Sequence, residues 1–87
     1  MSETLLEIRA HLIATSYQVG DEDELEPSRD LLEDGYLDSL GIMDLVGFLR
    51  QRYGLELEPH EMVADNFRTL EAIAALADAK RAAEPPE

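Results

Sequence analysis

The apolar positions fall into four stretches separated by one long polar connection. Leu5, Ile8, Leu12 and Ile13 recur at helical spacing and predict a helix over 3–16. Ser2 is a plausible N-cap for it, and Glu3 suits the positive end of the helix dipole. The strongest pattern lies between 39 and 53. Ile42, Leu45, Val46, Leu49 and Tyr53 follow i, i+3, i+4, i+7, i+11 spacing, which puts them on one face, read as core. Gly54 follows at the position where a helix commonly turns left-handed and stops. Leu55-Glu56-Leu57-Glu58 alternates like a strand but is too short and isolated to pair, so it reads as an extended link. Pro59 opens a short helix over 59–64, proline being favoured in a first turn. Asn66-Phe67-Arg68 reads as a turn with one apolar anchor. Thr69 caps a last helix over 70–83 whose core face is Leu70, Ile73, Ala74 and Ala77. Glu84-Pro85-Pro86-Glu87 reads as a disordered tail.

The connection from 17 to 38 contains Gly20, Pro27, Gly35 and the acidic run Asp21-Glu22-Asp23-Glu24. Connections of this length usually hold partial structure or a function. Leu25, Leu31, Leu32 and Leu37 are spaced to pin it onto a core, with one helical turn expected at 28–32. No repeat and no parallel-sheet pattern interrupts this plan. The expected fold is all-α: a single domain over 1–83 forming a small four-helix bundle, with three main helices, a short third one and a long first loop.

Composition narrows the function classes. Eighty-seven residues with 45% hydrophobic content suit one small folded domain. The absence of cysteine excludes disulfides and thiolate metal sites within the chain and fits a cytoplasmic protein. No apolar run approaches the roughly 20 residues of a membrane span, and Met1-Ser2-Glu3-Thr4 lacks the basic start of a secretion signal. Twenty acidic residues against seven basic ones give a net charge of −13. Such a surface repels nucleic acid and anionic membranes, and attracts basic protein partners. The charge also serves solubility on its own.

Chemistry concentrates at "DGYLDSLG", residues 34–41, where Ser39 meets the start of the strongest helix. Three roles are open to it. It could cap the helix. It could be a hydrolytic nucleophile, but that requires a base within reach and an orienting acid. His11 and His60 are the two histidines, nothing in the sequence places either beside Ser39, and they read as ordinary, partly exposed side chains. The sheet and the pair of flanking glycines of a nucleophile elbow are also missing. Third, Ser39 could be a covalent attachment point, since a helix N-terminus stabilises a phosphodiester. A calcium loop counted from Asp21 fails: its sixth position is Glu26, not glycine, and its twelfth is Leu32, not glutamate.

The stretch "LLEDGYLDSLGIMDLVGFLRQRYGLEL" resembles the acyl carrier proteins, a family that includes aminoacyl and peptidyl carriers. Gly35, Asp38, Ser39, Leu40, Leu45, Leu49, Tyr53 and Gly54 match its signature, "NFRTLEAIAAL" resembles the segment leading into its last helix, and the resemblance spans roughly 4–81. It implies a non-catalytic carrier with a four-helix fold. It implies that Ser39 bears 4′-phosphopantetheine, transferred from coenzyme A by a phosphopantetheinyl transferase that reads Asp38 and Leu40. The cargo would then be a thioester on the arm's thiol, which supplies the thiol chemistry that a chain without cysteine lacks. Partners would be that transferase, an adenylating acyl- or aminoacyl-ligase and downstream acyl-processing enzymes, all acting on a monomer.

The helix over 39–53 has a second face. Leu40, Met43 and Gly47 fall at i, i+3, i+7, away from the core stripe, with Asp44 beside Met43. The resemblance implies that partners dock there; alternatively, Leu40 and Met43 are partly buried beside the long loop. Carriers of fatty-acid synthases have a strongly acidic helix at this point. Here residues 39–54 hold Asp44 against Arg50 and Arg52, and positions 41, 50 and 51 are Gly, Arg and Gln. The departure is closer to free-standing carriers loaded by a dedicated ligase, such as D-alanyl and secondary-metabolite carriers, than to a housekeeping fatty-acid carrier. The reading from another class is a helical interaction module in which Ser39 is only a cap.

Overall fold

The computed structural model describes residues 3–15 and 25–83. The Ser2 cap, the acidic run 21–24 and the tail 84–87 therefore lie outside the described residues. Among the described residues four helices form in order: α1 (Glu3–Thr15), α2 (Ser39–Tyr53), α3 (Ala64–Phe67) and α4 (Leu70–Ala83), with a 3₁₀ turn at Pro59–Glu61 before α3. No strand occurs among the described residues, and Leu55–Glu58 is an extended link as expected. The all-α bundle with a short third helix is the fold that the apolar periodicity predicts.

Helices of this length depend on packing for most of their stability, and the core shows where it comes from. Leu5, Ile8 and Leu12 of α1 meet Leu45 and Leu49 of α2 and Leu70, Ile73, Ala74 and Ala77 of α4, closed by Leu55 and Phe67. Contacts from Glu7 to Arg52 and from His11 to Asp44 show that α1 and α2 run antiparallel. The predicted α4 face is buried in full. The α2 and α1 faces are narrower than predicted, because Ile42, Val46, Tyr53 and Ile13 are only partly buried at the margin. Thr4, unremarkable in the sequence, is buried. Gly54 turns left-handed at φ 71° and its N–H closes α2 on Arg50 and Leu49 carbonyls. Thr69 caps α4 by accepting from Ala72 N–H at 3.0 Å.

Two local expectations shift. The short helix predicted over 59–64 is a single 3₁₀ turn, and α3 forms at 64–67, where a turn was expected. Val63 is extended, at φ −110° and ψ 151°, and both Met62 and Val63 are exposed, so no packing energy carries the helix through them. Phe67 is buried and anchors the later turn, while Asn66 Nδ2 donates to the Glu61 carbonyl at 2.8 Å and ties the two turns together. In the connection, the helical turn expected at 28–32 begins later: Asp34 N–H donates to the Asp30 carbonyl, and Tyr36 N–H to that of Leu31. Gly35 closes this turn at φ 81°, a conformation that favours glycine.

The connection is a packed part of the fold. Leu25, Leu31 and Leu37 are buried, and Leu32 partly so. Leu31 N–H donates to the Arg68 carbonyl at 2.7 Å, and Glu71 N–H to that of Pro27 at 3.1 Å. Arg68 reaches Asp30 at 3.1 Å. Asp30's carboxyl is held below its usual range, first by the Glu33 N–H it accepts and then by Arg68. These contacts fix the chain that delivers residues 37–39 to the start of α2.

Candidate attachment site at the start of helix α2

Leu37 is buried, and the next residue leaves the core in an extended conformation, with Asp38 at φ −121° and ψ −172°. The Asp38 carboxylate then accepts from Gly41 N–H at 2.8 Å. Asp38 is therefore the N-cap, and Ser39 is the first helical residue. The cap role read for Ser39 passes to its neighbour, because from the N-cap position a carboxylate reaches the third N–H of the helix. Gly41 has a packing reason that the sequence did not show. A Cβ there would lie 2.9 Å from Leu37 Cδ1 and 3.4 Å from the capping oxygen of Asp38. Its absence lets Leu37 sink beneath the first turn while Asp38 closes over it.

Ser39 is exposed, and its hydroxyl is not needed for capping. It lies where helix N–H groups and the dipole favour a negative charge. An exposed hydroxyl beside such a helix start fits a phosphodiester-linked arm sterically and electrostatically. The residues of a hydrolase are not gathered around it. His11 lies 2.7 Å from Asp44 and stacks on the Phe48 ring at 4.2 Å between centroids, bridging α1 and α2. His60 pairs with Glu58 at 3.4 Å. His11 is partly exposed as expected, and it also makes an inter-helix contact that only the antiparallel pairing of α1 and α2 reveals.

Beyond Ser39, Leu40 is 81% and Met43 62% exposed, so neither is partly buried beside the loop. Asp44 is half-exposed and engaged by His11. An added Cβ at Gly47 would meet nothing within 4 Å. Leu40, Met43 and Gly47 therefore share an open outer face of α2, with Asp44 at its α1 margin. Met62 and Val63 are also exposed apolar residues; the sequence signal was two apolar neighbours between Pro59 and the Phe67 anchor, and the short helix read there concealed it.

The far end of α2 holds a network that sequence reasoning missed. Glu7 accepts from Arg52 Nε at 3.1 Å, from Arg52 Nη2 at 2.9 Å and from the Tyr53 hydroxyl. Arg81 of α4 lies 4.5 Å over the Tyr53 ring and donates to Thr4 Oγ1 at 2.9 Å. Thr4 in turn donates to Asp78 at 2.6 Å. The Tyr53 and Arg52 hydrogen bonds hold the Glu7 carboxyl below its usual range. Burial, and then the Glu7 carboxylate, push the Tyr53 hydroxyl up to about 12. The faint signal was polar Thr4 and Glu7 beside the α1 core stripe.

No helix among the described residues is long and apolar enough to cross a membrane. The family model for the phosphopantetheine attachment site matches residues 7–77. A curated relative, the probable acyl carrier protein PigG of Serratia sp. (strain ATCC 39006), is 38% identical over 64 residues, covering 74% of each chain. Among solved structures, a chain of one described as "Crystal structure of FAD-dependent dehydrogenase" is 35% identical with a TM-score of 0.62, over 69% of this chain and 84% of that one. The fold, the exposed serine at the start of α2 and these matches together place the chain in the acyl carrier protein family, whose cofactor is covalently bound 4′-phosphopantetheine.

Proposed function

We propose that Ser39 is the attachment residue and that the chain is a free-standing, non-catalytic carrier of an acyl or aminoacyl group. The observation that supports this most directly is the division of labour at the start of α2. Asp38 caps the helix, and the adjacent Ser39 hydroxyl stays exposed and uncommitted to the cap. In the attachment step the Ser39 oxygen forms a phosphodiester bond, the pyrophosphate bond of coenzyme A breaks, adenosine 3′,5′-bisphosphate leaves, and the hydroxyl proton passes to base or solvent. Asp38 holds the helix start in register, and Leu40 offers the transferase an apolar contact. When bound, the arm supplies the thiol that holds cargo as a thioester. An interaction module in which Ser39 is only a cap loses its premise, because Asp38 makes the cap bond.

The weakly charged α2 favours a specialised or secondary-metabolite pathway over housekeeping fatty-acid synthesis. The proposed setting is a cytoplasmic monomer served by a phosphopantetheinyl transferase, an adenylating ligase and acyl-processing enzymes. The structural relative's description favours a flavin-dependent dehydrogenase among the last group.

The test is an intact mass measured after incubation with coenzyme A, Mg²⁺ and a broad-specificity phosphopantetheinyl transferase. The wild-type chain gains one phosphopantetheinyl group, and Ser39→Ala gains none while keeping its circular dichroism spectrum. A gain that survives in the folded variant moves the attachment elsewhere, and no gain in the wild type rejects the carrier function.

A further inference from the structure

The seven basic residues of the sequence are six arginines and one lysine, Lys80. Lysine is ordinarily among the commonest residues, so the bias is large. The two side chains carry the same charge but differ in reactivity. A lysine amine releases its proton near about pH 10.4 and is then a nucleophile, whereas a guanidinium stays protonated and has no lone pair to offer. That difference matters for a chain whose proposed arm holds a thioester. An amine that meets the thioester attacks its carbonyl carbon, a C–N bond forms, the C–S bond breaks, and the arm's thiol leaves with the amine's proton. The cargo is then stranded on the carrier as an amide. A tethered group meets its own carrier at an effective concentration on the order of millimolar, so the carrier's surface competes first.

The fold keeps the lysine away from Ser39. Arg81, its neighbour in α4, lies 4.5 Å over the ring of Tyr53, the last residue of α2. Ser39 begins that helix, about 21 Å away at 1.5 Å per residue. Lys80 is also engaged: Nζ donates to Glu61 at 2.8 Å, and its side chain is 17% exposed. Glu61's carboxyl is held below its usual range by Glu58 N–H and then by Lys80, so this counter-charge persists at neutral pH.

Closer to Ser39, positive charge comes from arginine. Arg29 Nε donates to Asp34 at 2.9 Å, and its guanidinium lies 5.4 Å over the Tyr36 ring, in the chain that leads to Ser39. Arg50 is 71% exposed on α2 itself. Other nucleophiles are missing or covered. The sequence has no cysteine, which excludes transfer to a thiol of the chain. His11 has Nε2 2.7 Å from Asp44 and its ring stacked on Phe48.

We infer that this carrier is built against self-acylation: Arg29 and Arg50 supply charge within the arm's range without a nucleophile, and Lys80 is kept at the opposite end of the bundle in its Glu61 ion pair. The inference rests on the proposed carrier role and deepens it. It gives the arginines a chemical duty, protection of the cargo, beyond their ion pairs.

The test uses the full chain, given an acetylated arm from acetyl-coenzyme A by an excess of broad-specificity transferase and checked by intact mass. Loaded wild type, Arg29→Lys and Arg50→Lys are held at about pH 9, where a few per cent of an ordinary lysine is free amine. Neutral hydroxylamine then cleaves thioesters and leaves amides, and peptide mapping locates the acetyl group that resists it. Wild type holds no resistant acetyl on Lys80, and Lys80→Arg leaves the thioester's lifetime unchanged. Each new lysine is acetylated at least about tenfold above the wild-type background, at a rate that about tenfold dilution of the carrier does not change. Acetyl on Lys80 in wild type, or a new lysine left unacetylated in either folded variant, overturns the inference. Failure of the carrier role shows earlier and separately, as no mass gain in the wild type.

Discussion

The two ends of α2 are built in opposite ways. At the Tyr53 end, Glu7, Arg52, Tyr53, Arg81, Thr4 and Asp78 join α1, α2 and α4 through charge-assisted hydrogen bonds and a cation over an aromatic ring. At the Ser39 end, Asp38 alone organises the first turn, its carboxylate accepting from Gly41 N–H and its carbonyl from Ile42 N–H, and Leu40 and Met43 stand in solvent. Charge-assisted bonds are the stronger kind, but they hold their side chains in one geometry. Placing them away from Ser39 ties the helices together without committing the surface that an attached arm and its enzymes would need. The same separation appears across α2: Leu45 and Leu49 are buried, while Leu40 and Met43 are open.

The largest test of that separation compares two leucines of one helix. Leu49→Ala should cost about 2–5 kcal/mol in denaturant unfolding, because it empties fully buried volume. Leu40→Ala should stay within about 0.5 kcal/mol of wild type, yet impair modification by the transferase. A large stability loss in Leu40→Ala would mean that the outer face is structural after all. Next in size is Thr4→Val at the network end. It keeps the shape of a buried side chain but removes the acceptor of Arg81 and the donor to Asp78, for a loss of about 1–3 kcal/mol. At the other end, Asp38→Ala removes the cap and should cost about 0.5–2 kcal/mol. Its more telling readout is the rate of arm attachment, which should fall more than the rate in Thr4→Val at matched folded fraction. Equal rates would erase the functional difference between the ends.

The sequence showed these two ends unequally, and the reason is the range of the interactions. Helix spans followed from local periodicity, so 39–53 and 70–83 were readable to the residue. The start of α2 at Asp38–Ser39 was legible because apolar periodicity begins there, yet the cap was assigned to the wrong neighbour. Asp38 and Ser39 are both good caps, and only backbone geometry decides which carboxylate or hydroxyl meets Gly41 N–H. The His11–Asp44 contact joins residues 33 apart, and Thr4–Asp78 residues 74 apart, so neither leaves a local trace. Between Pro59 and Phe67, helix propensity alone could not choose between one helix and two turns. Burial of Phe67 and exposure of Val63 made that choice.

The network end should also leave a mark on the pH dependence. Tyr53's hydroxyl is held protonated to about 12 in the folded chain, above its ordinary value of 10.0, by burial and by Glu7. A raised folded pKa stabilises the fold while the group is protonated in both states, so this contribution is intact below about pH 10. It falls as pH rises through about 12, when the folded chain must also release the proton. Glu7 has the opposite sign: its lowered folded pKa stabilises above the ordinary carboxylate value of 4.5 and is lost as pH falls through the folded value. Tyrosinate absorbance should therefore show a late-titrating component that is lost in Tyr53→Phe. The stability loss between pH 10 and 12 should shrink in the same variant, and Glu7→Gln should flatten the acid limb, where Asp30 and Glu61, also held low, continue to contribute. If Tyr53→Phe leaves the alkaline profile unchanged, Tyr53 does not transmit Glu7's charge to the fold. The contrast between the ends would then rest on Arg52, Arg81 and Thr4 alone.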